Sequence, residues 1–414
     1  MNVLVLNCSS ASTKFAVVHA TDGHVHVSGR VEPLGEPGAT LDFTHEGRSE
    51  SRRIAGTGTD ASLRATFELL RELGLAERLL GIGHRVVHGG SKFTGSMFIT
   101  PQVVDKIRSC IPLGPLHNPS NIRGIELAHE LFPELPQVAV FDTAFHQTMP
   151  PRAYLYAVPY EWFLEHEVRR YGFHGTSHRY VSQEAVKQLG LDPADHAIVT
   201  AHLGKGCSLA AVRNGQSMDT TMGLTPLEGV MMDKRSGTID PSIISHMKSR
   251  LGCTLDEVMD QLNSHSGLLG ISGVSNDMLT LEQAAADGHE RARLAIEKFC
   301  YAVAKQAAGM IVSLGRVDAL VFTGGIGENQ VEVRAQIVKL LGFAGIVLDP
   351  KLNAVHGRET KGRISRSTSP MAAVIATNEE FMIAQDTAEI VTRDGHLHER
   401  WARPLHAVDP VEAG

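Results

Sequence analysis

Near its N-terminus the sequence reads Asn7-Cys8-Ser9-Ser10-Ala11-Ser12-Thr13-Lys14, between the apolar runs 2–6 and 15–19. In the second half it reads His202-Leu203-Gly204-Lys205-Gly206-Cys207-Ser208, again with an apolar run on either side. Each stretch predicts two strands joined by a short turn of Gly or hydroxyl residues with one Lys. Such a turn offers backbone N–H groups, hydroxyls and an ammonium to an anion such as phosphate. Two of them in corresponding places predict a duplicated domain with phosphate held between the copies.

Length and composition indicate a globular protein with more than one domain. The 414 residues exceed one ordinary core, and the balance of 43% hydrophobic to 21% charged residues is typical of soluble chains. A net charge of −7, with no basic run, argues against a nucleic-acid partner. No apolar stretch approaches the ~20 residues of a membrane helix, and no signal-peptide pattern opens the chain. Five scattered cysteines without a CxxC pair suit a reducing compartment, so we expect a cytoplasmic protein without a membrane partner.

Strand and helix patterns alternate in both halves, which predicts an α/β fold with a central sheet in each half. The first half contains a predicted amphipathic helix over 61–80, another opened by Thr100-Pro101, and a buried strand over 137–141. The second half contains a long predicted helix from about 290 to 314, with apolar residues on one face. A last strand near 372–376 precedes a closing helix.

A glycine-rich segment, Gly324-Gly325-Ile326-Gly327-Glu328-Asn329, follows a predicted strand and precedes a helix expected to start near Val331. Backbone donors at a helix N-terminus suit a nucleotide or its phosphates. The pattern is not GxGxxG, and no acidic ribose ligand follows at the expected spacing. A plain glycine-rich turn therefore remains an equal alternative.

Charged residues beside glycines are candidates for the reacting groups. Arg85 and Arg235 could clamp a phosphoryl group or a carboxylate, although each taken singly is typical of a surface ion pair. Asp142 ends a buried strand, where α/β folds place their sites, but it could equally cap the next turn. Asn378-Glu379-Glu380 could supply a Mg²⁺ ligand through water or form the acidic start of a helix.

Histidine is abundant, and two pairs have the four-residue spacing of zinc ligands: His84 with His88, and His174 with His178. They lie on a predicted strand and in a glycine loop, without HExxH or a Cys partner, so loop and supporting roles are favoured. Around His174 the alternative is a loop with Ser177 as helix cap.

Together these segments resemble the acetate, propionate and butyrate kinase family, part of the fold group of sugar kinases, actin and heat-shock chaperone ATPases. The matching motifs run in one order from Asn7 to Glu380, over nearly the whole chain. They are 83–90, 115–119, 140–150, 170–178, 225–229, 235–241, 322–329 and 377–380.

The resemblance implies duplicated ribonuclease-H-like (actin-like ATPase) domains with an interdomain cleft. Domain I would comprise 1–147 plus about 380–414, and domain II 148–379, with a C-terminal helix that returns to the first domain. The implied reaction is reversible in-line phosphoryl transfer from ATP to a small carboxylate such as acetate, with Mg²⁺ (or Mn²⁺). The implied assembly is a homodimer.

The resemblance also implies roles for individual residues. The catalytic set would be Asp142, Arg85, His174 and Arg235, and the metal pair Asn7 and Glu379. Phosphate and nucleotide contacts would come from Lys14, Ser10, Ser12, His202, Leu203, Gly204, Lys205, Gly206, Asp277, Met278, Leu279, Gly325, Ile326, Gly327, Glu328 and Asn329.

The chemistry of such a reaction is consistent with this set. A carboxylate substrate, with a pKa of roughly 4 to 5, is ionised at pH 7 and needs no general base. The barrier is the meeting of two anions, which positive charge and positioning must offset. We therefore interpret Asp142 as an organiser of metal or arginine rather than as a proton acceptor.

The sequence departs from the usual family pattern at four places. Ser9 stands where Gly is usual, and Lys205 where Asn is usual. The segment 277–279 reads Asp-Met-Leu instead of Asp-Phe-Arg, and Met232-Asp233-Lys234 replaces Met-Gly-Thr before Arg235. These departures predict an intact reaction type with altered nucleotide preference.

Three alternatives remain open from the sequence. The chain could act on propionate or butyrate, or it could use GTP or pyrophosphate as the phosphoryl donor. It could also be a non-catalytic actin-like nucleotide-binding protein.

Overall fold

The structure is a computed structural model, and it describes residues 1–34 and 38–394. Its strands are β1 Asn2–Cys8, β2 Thr13–His19, β3 Val25–Glu32, β4 Thr40–His45, β5 Arg48–Arg53, β6 Leu79–Val86, β7 Met97–Phe98, β8 Gln137–Phe141, β9 Ala197–Leu203, β10 Cys207–Arg213, β11 Gln216–Thr220, β12 Ala319–Thr323 and β13 Met371–Val374.

Helices connect the strands. They are α1 Gly58–Glu72, α2 Pro101–Ser109, α3 Asn118–Leu131, α4 Pro151–Tyr154, α5 Tyr160–His166, α6 Gly175–Leu189, α7 Ser242–Leu251, α8 Leu255–Ser264, α9 Gly267–Ser272, α10 Met278–Ala286, α11 Glu290–Leu314, α12 Gly324–Asn329, α13 Val331–Leu340, α14 Pro350–Ala354 and α15 Glu379–Asp394.

The described chain divides into two compact units. Unit 1 comprises Met1–Ala144 and the described residues from Asn378 onward, and unit 2 is the continuous segment Phe145–Thr377. These divisions lie a few residues from the domain limits expected from the sequence. The part of the expected domain I beyond residue 394 lies outside the described residues.

Unit 1 is built on one sheet with the strand order β5-β4-β3-β2-β1-β6-β8-β7. The first five strands form an antiparallel meander, whereas β6 runs parallel to both β1 and β8. Helix α15 packs over β1, β6 and β8, as expected for a C-terminal helix that returns to the first half. Its approach requires glycine in β6, because a Cβ on Gly83 would lie 2.4 Å from Oγ1 of Thr387.

Unit 2 is built on a second sheet with the order β11-β10-β9-β12-β13. Strands β9, β10 and β11 are antiparallel, and β9, β12 and β13 are parallel. The long helix α11 has the bounds that the sequence predicted, and its apolar face is buried at Phe299, Val303, Ala307, Met310 and Leu314.

The two sheets repeat one pattern, which confirms the predicted duplication. The order β3-β2-β1-β6-β8 in unit 1 corresponds to β11-β10-β9-β12-β13 in unit 2. The two polar turns that carried the prediction therefore join equivalent strands, β1 to β2 and β9 to β10.

The predicted helix over 61–80 is wrong at its C-terminal end. Helix α1 ends at Glu72, Gly74 follows with φ of 63°, and Leu79 already belongs to β6. Apolar residues continue at helical spacing past the break because Leu75 and Leu79 are buried in the same core. The predicted cap is confirmed at α2, where the Thr100 hydroxyl accepts from Val103 N–H. No helix in the described ranges is both long and apolar enough to cross a bilayer.

Candidate active site

Two predicted site residues meet at the carboxyl ends of parallel strands in unit 1. Arg85 in β6 is paired with Val140 in β8, and Asp142 follows β8 directly. Nε and Nη2 of Arg85 donate to the two carboxylate oxygens of Asp142 at 2.9 and 2.6 Å. Only 1% of the Asp142 side chain and 19% of the Arg85 side chain are exposed. The pair is a buried bidentate fork, so a surface ion pair is the wrong interpretation for Arg85.

The fork keeps a positive charge at the end of the sheet. Burial alone would lower the pKa of Arg85, but the charge and hydrogen bonds of Asp142 hold it above its ordinary value. Both oxygens of Asp142 bond to Arg85 rather than to the following turn. A guanidinium has five N–H donors, so donors remain on Arg85 for an anionic ligand.

A second group in unit 1 has the composition of a cation site. Asn7 and Lys14 are directly opposite each other in the β1–β2 ladder and therefore lie on one face of the sheet. Glu379 is the first residue of α15, and desolvation by burial raises the pKa of its carboxyl to about 7, with Arg85 opposing the shift. Among the described residues its carboxylate has no hydrogen-bond partner.

These donors fit a magnesium ion. Mg²⁺ favours carboxylate and amide oxygens and takes few protein ligands, because it keeps several waters and binds substrate phosphates. Asn7 and Glu379 are the residues that would hold it. Within residues 1–34 and 38–394, no cluster of three or more His, Cys, Asp or Glu side chains is arranged to hold a metal.

The first polar turn is closed by Ser9, the residue found where the related family usually has Gly. Its hydroxyl donates to the carbonyl of Ser12 at 2.8 Å and accepts from Ser12 N–H at 3.0 Å. The backbone N–H of Ser12 is therefore occupied within the turn. Ser10 is exposed. The hydroxyl of Ser10 and the ammonium of Lys14 are thus the more accessible predicted phosphate contacts of this turn.

Histidine rings cluster with hydroxyls in unit 2. His174, with φ of 56°, precedes α6, and its ring stacks on that of His202 at 4.3 Å between centroids. Nδ1 of His174 lies 2.8 Å from the hydroxyl of Ser208, and Nδ1 of His202 lies 2.7 Å from that of Ser177. Ser177 is therefore not the helix cap that the alternative required, because it lies in the first turn of α6 and faces His202.

Gly206 lets two predicted catalytic side chains approach the second polar turn. A Cβ at this position would lie 3.0 Å from Nη2 of Arg235 and 3.1 Å from Nε2 of His174. Nη1 of Arg235 donates to the carbonyl of Pro226 at 2.7 Å. The structure therefore brings His174 and Arg235 together beside the turn.

The segment that carries Pro226 is fixed by a network that sequence reasoning missed. Arg170 donates to Glu228 at 2.6 Å and to the carbonyls of Thr220 and Thr221 at 3.0 and 2.8 Å. Tyr156 also hydrogen-bonds to Glu228. No local pattern joins these residues, because the partners are 50 to 72 positions apart.

The remaining residues of the second turn differ in exposure. Gly204 N–H donates to the carbonyl of Gly206 at 3.0 Å, which makes the turn tight. Lys205 at its tip is exposed, whereas Leu203 is fully buried in unit 2. A ligand contact by Leu203 would therefore have to use its backbone.

Two residues of the segment 277–279 have structural roles. Asp277 caps α10, since its Oδ1 accepts from Thr280 N–H at 2.9 Å. Met278 is buried, with 2% of its surface exposed, while Leu279 is 66% exposed. The carboxylate of Asp233 accepts from the amide of Asn276, the residue directly before this segment, at 3.2 Å.

The glycine-rich segment 324–329 forms the short helix α12 instead of an open turn. The carboxylate of Glu328 accepts from Gly324 N–H at 2.9 Å and from Thr377 N–H at 3.3 Å. Its side chain thus joins the ends of β12 and β13. The buried Arg334, another residue missed in the sequence, donates to the carbonyls of Gly327 and Glu328 at 2.9 Å each. Burial lowers the pKa of Arg334 to about 10.

Comparison with known proteins identifies related sequences. The sequence profile of the Acetokinase family matches residues 2–385. An acetate kinase from Deinococcus radiodurans is 50% identical over 96% of this chain and all of its own length. One from Chromobacterium violaceum is 48% identical over 94% of this chain and 98% of its own.

Solved structures give the same result. A propionate kinase from Francisella tularensis superposes with a TM-score of 0.89 at 44% identity, covering 93% of this chain and 98% of its own. An acetate kinase from Porphyromonas gingivalis superposes with a TM-score of 0.88 at 42% identity, covering 94% and 99%.

The fold and its relatives define an α/β protein of the actin-like ATPase type that acts as a phosphotransferase. The chain belongs to the acetokinase family.

Proposed function

We propose that this protein catalyses reversible phosphoryl transfer from ATP to acetate, giving acetyl phosphate and ADP by direct in-line transfer. The observation that carries the proposal is the buried Arg85–Asp142 fork at the ends of β6 and β8. It provides a permanent, oriented cation for a carboxylate, in the same unit as Asn7, Lys14 and Glu379. The relatives named acetate kinase, at about 50% identity, support the choice of acetate.

In the proposed mechanism Arg85 binds the carboxylate of the acceptor, and Asp142 holds the guanidinium in place. No proton has to leave the acceptor, because a simple carboxylic acid is ionised at pH 7. Asn7 and Glu379 would hold Mg²⁺. When bound, the ion supplies positive charge to the phosphates of the donor.

In unit 2, Arg235 and His174 stabilise the phosphoryl group in transfer. Their proximity to Gly206 places a guanidinium and an imidazole beside one phosphate-binding turn. Positioned positive charge of this kind is the main source of catalysis in phosphoryl transfer.

We also propose that the donor site has an altered nucleotide preference. The exposed Lys205 adds a cation to the second turn, and Met278 and Leu279 offer neither an aromatic face nor a guanidinium to a base. Stacking and cation–π contacts are each worth on the order of 1 kcal/mol. Their loss weakens discrimination between ATP and GTP.

The test is a hydroxamate-coupled assay that pairs acetate, propionate or butyrate with ATP, GTP or pyrophosphate. Acetate with ATP should give acyl phosphate, and acetate with GTP should give it at a similar rate. Propionate is the second candidate acceptor, because a propionate kinase is among the similar structures. Absence of acyl phosphate with every pair, together with a nucleotide-induced thermal shift, would favour a non-catalytic nucleotide-binding protein.

We further propose a cytoplasmic homodimer. All five cysteines lie in the described part of the chain and none forms a disulfide, which suits a reducing compartment. Sedimentation equilibrium should give twice the mass of 44.8 kDa. A monomer at micromolar concentration would contradict the dimer.

A further inference from the structure

The hydroxyl of Ser208 lies between two histidine rings in unit 2. It is 2.8 Å from Nδ1 of His174 and 2.7 Å from Nε2 of His178, and Ser208 is fully buried. A hydroxyl carries one hydrogen. Ser208 can therefore donate to one ring only and must accept from the other.

His178 connects Ser208 to Thr200 in this chain of hydrogen bonds. Its ring is fully buried, and its two nitrogens face the hydroxyls of Ser208 and Thr200, each at 2.7 Å. Burial holds the pKa of His178 well below its ordinary value, so the ring is neutral. A neutral imidazole has one N–H and one lone pair. If it donates to one of the two hydroxyls, it must therefore accept from the other.

Thr200 sets that direction in our assignment. Its hydroxyl lies 3.4 Å from the carbonyl of Ala210, which can only accept, and we assign its one hydrogen to that carbonyl. With this assignment, the oxygen of Thr200 accepts from Nδ1–H of His178 at 2.7 Å. The lone pair of His178 Nε2 consequently accepts from Ser208, and the oxygen of Ser208 accepts from Nδ1–H of His174.

We propose that Ser208 is a positioning residue which, with His178 and Thr200, holds the proton of His174 on Nδ1. Nε2 of His174, on the side of Arg235 and the second polar turn, then carries the lone pair. Among the described residues, the charged or titratable groups around this ring include Arg235, the stacked His202 and, through Ser208, His178. The part of this inference that concerns turnover rests on the proposed function, whereas the position of the proton does not.

The first test is the ¹⁵N spectrum of the protein with labelled histidine, recorded at pH 8 without substrate. The resonances of His174 are assigned by their loss in His174→Gln. We expect Nδ1 of His174 to be protonated and Nε2 to be unprotonated. A spectrum in which Nε2 carries the proton instead would overturn the proposal, and this measurement needs no variant of Ser208.

The second test is Ser208→Ala, with Ser217→Ala as the matched control. Ser217 is equally buried, and its hydroxyl makes the same type of bond, 2.8 Å from Nδ1 of His146. In Ser208→Ala the population of the Nδ1–H form of His174 should fall, and kcat should fall about tenfold with little change in KM. Ser208→Thr, which keeps the hydroxyl, should restore both.

The outcomes separate this inference from the proposed function. An unchanged His174 tautomer in Ser208→Ala would overturn the positioning role, even if the wild type forms acyl phosphate. An equal change of the His174 tautomer in Ser217→Ala would also overturn it, since the effect would then not be specific to the hydroxyl of Ser208. A wild type that makes no acyl phosphate would contradict the proposed function, while the tautomer measurement would still decide the role of Ser208.

Discussion

At the scale of single residues, the buried fork between Arg85 and Asp142 is the feature whose chemistry is easiest to isolate. The same two-point geometry occurs on the surface, where Nε and Nη2 of Arg123 bond to the two oxygens of Asp60. The surface pair is 38% and 48% exposed, against 19% and 1% for the buried one. The two pairs therefore have the same geometry in two dielectric environments, one buried and one exposed to solvent.

We predict that Arg85→Lys lowers kcat/KM for the carboxylate about 10- to 100-fold. Lysine keeps the charge but cannot reproduce two parallel hydrogen bonds, and each charged bond is worth about 1.5–3 kcal/mol. Arg123→Lys should leave kcat/KM unchanged, because exposed pairs contribute about 0–1 kcal/mol. Steady-state kinetics of both variants checks this, and equal losses in the two would contradict it.

Arg235 is proposed to stabilise the phosphoryl group during its transfer. We predict that Arg235→Ala lowers kcat about 10³-fold, as removal of a transition-state arginine does, while the substrate KM rises far less. Initial rates over a range of carboxylate concentrations separate the two constants. An unchanged kcat would rule out a role in the transition state.

The raised pKa of Glu379 predicts that activation by Mg²⁺ depends on pH. Because the pKa of its carboxyl is raised to about 7, the group is protonated below that pH and is a poor ligand there. The Mg²⁺ concentration for half-activation should rise about tenfold per pH unit below 7 and level off above it. Glu380→Gln removes a neighbouring charge that contributes to the raised pKa, so it should keep this dependence with its midpoint at a somewhat lower pH, and Glu379→Gln should remove it. A flat profile in the wild type would contradict the metal role.

At the scale of elements, the contact of α15 with β6 depends on the absence of a side chain. A Cβ at Gly83 would lie 2.4 Å from Thr387 and 2.7 Å from Ile383. Both contacts come from the buried face of α15. The helix cannot keep its position if β6 carries a larger residue there.

We predict that Gly83→Ala lowers the free energy of unfolding by about 1–3 kcal/mol, the usual cost of overpacking. Gly95→Ala is the control, since a Cβ at Gly95 meets nothing within 4 Å, and its effect should stay within about 0.5 kcal/mol. Urea unfolding of both variants measures the difference. Similar values for the two would show that α15 moves without cost.

Sequence patterns predicted the elements whose periodicity reflects one continuous buried face. Strand β8 and helix α11 have the predicted bounds because each is buried along its whole length or along a whole face. The end of α1 was missed because the core continues to bury residues after the helix stops. The candidate site was predicted as individual residues through the family resemblance, without the contacts between them. The fork and the Ser208 hydrogen bonds could not be predicted, because they join residues 57 and 30 or more positions apart.

At the scale of the whole molecule, unit 1 is assembled from two separate parts of the chain. Residues Ile383, Ala384 and Ala388 of α15 share a core cluster with Val3 and Val138 of the first part. That cluster cannot be covered by residues 1–144 alone. Unit 2, in contrast, is one continuous segment.

We predict that a chain ending at Thr377 loses protection in unit 1 but keeps it in unit 2. Amides of β1, β6 and β8 should exchange rapidly, because removal of α15 exposes their apolar face, while those of β9 and β12 stay protected. Hydrogen exchange by mass spectrometry measures both sets. A chain ending at Asp394, which keeps α15, is the control, and protected β6 amides without α15 would contradict the prediction.

This discontinuity has a consequence for synthesis on the ribosome. The segment Phe145–Thr377 is translated in full before the last part of unit 1 is begun. The strands β1, β6 and β8 therefore lack their contacts with α15 throughout the synthesis of unit 2. The first segment to be synthesised is therefore the last to complete its fold. Until α15 is available, the apolar face of its sheet has to be protected from other contacts.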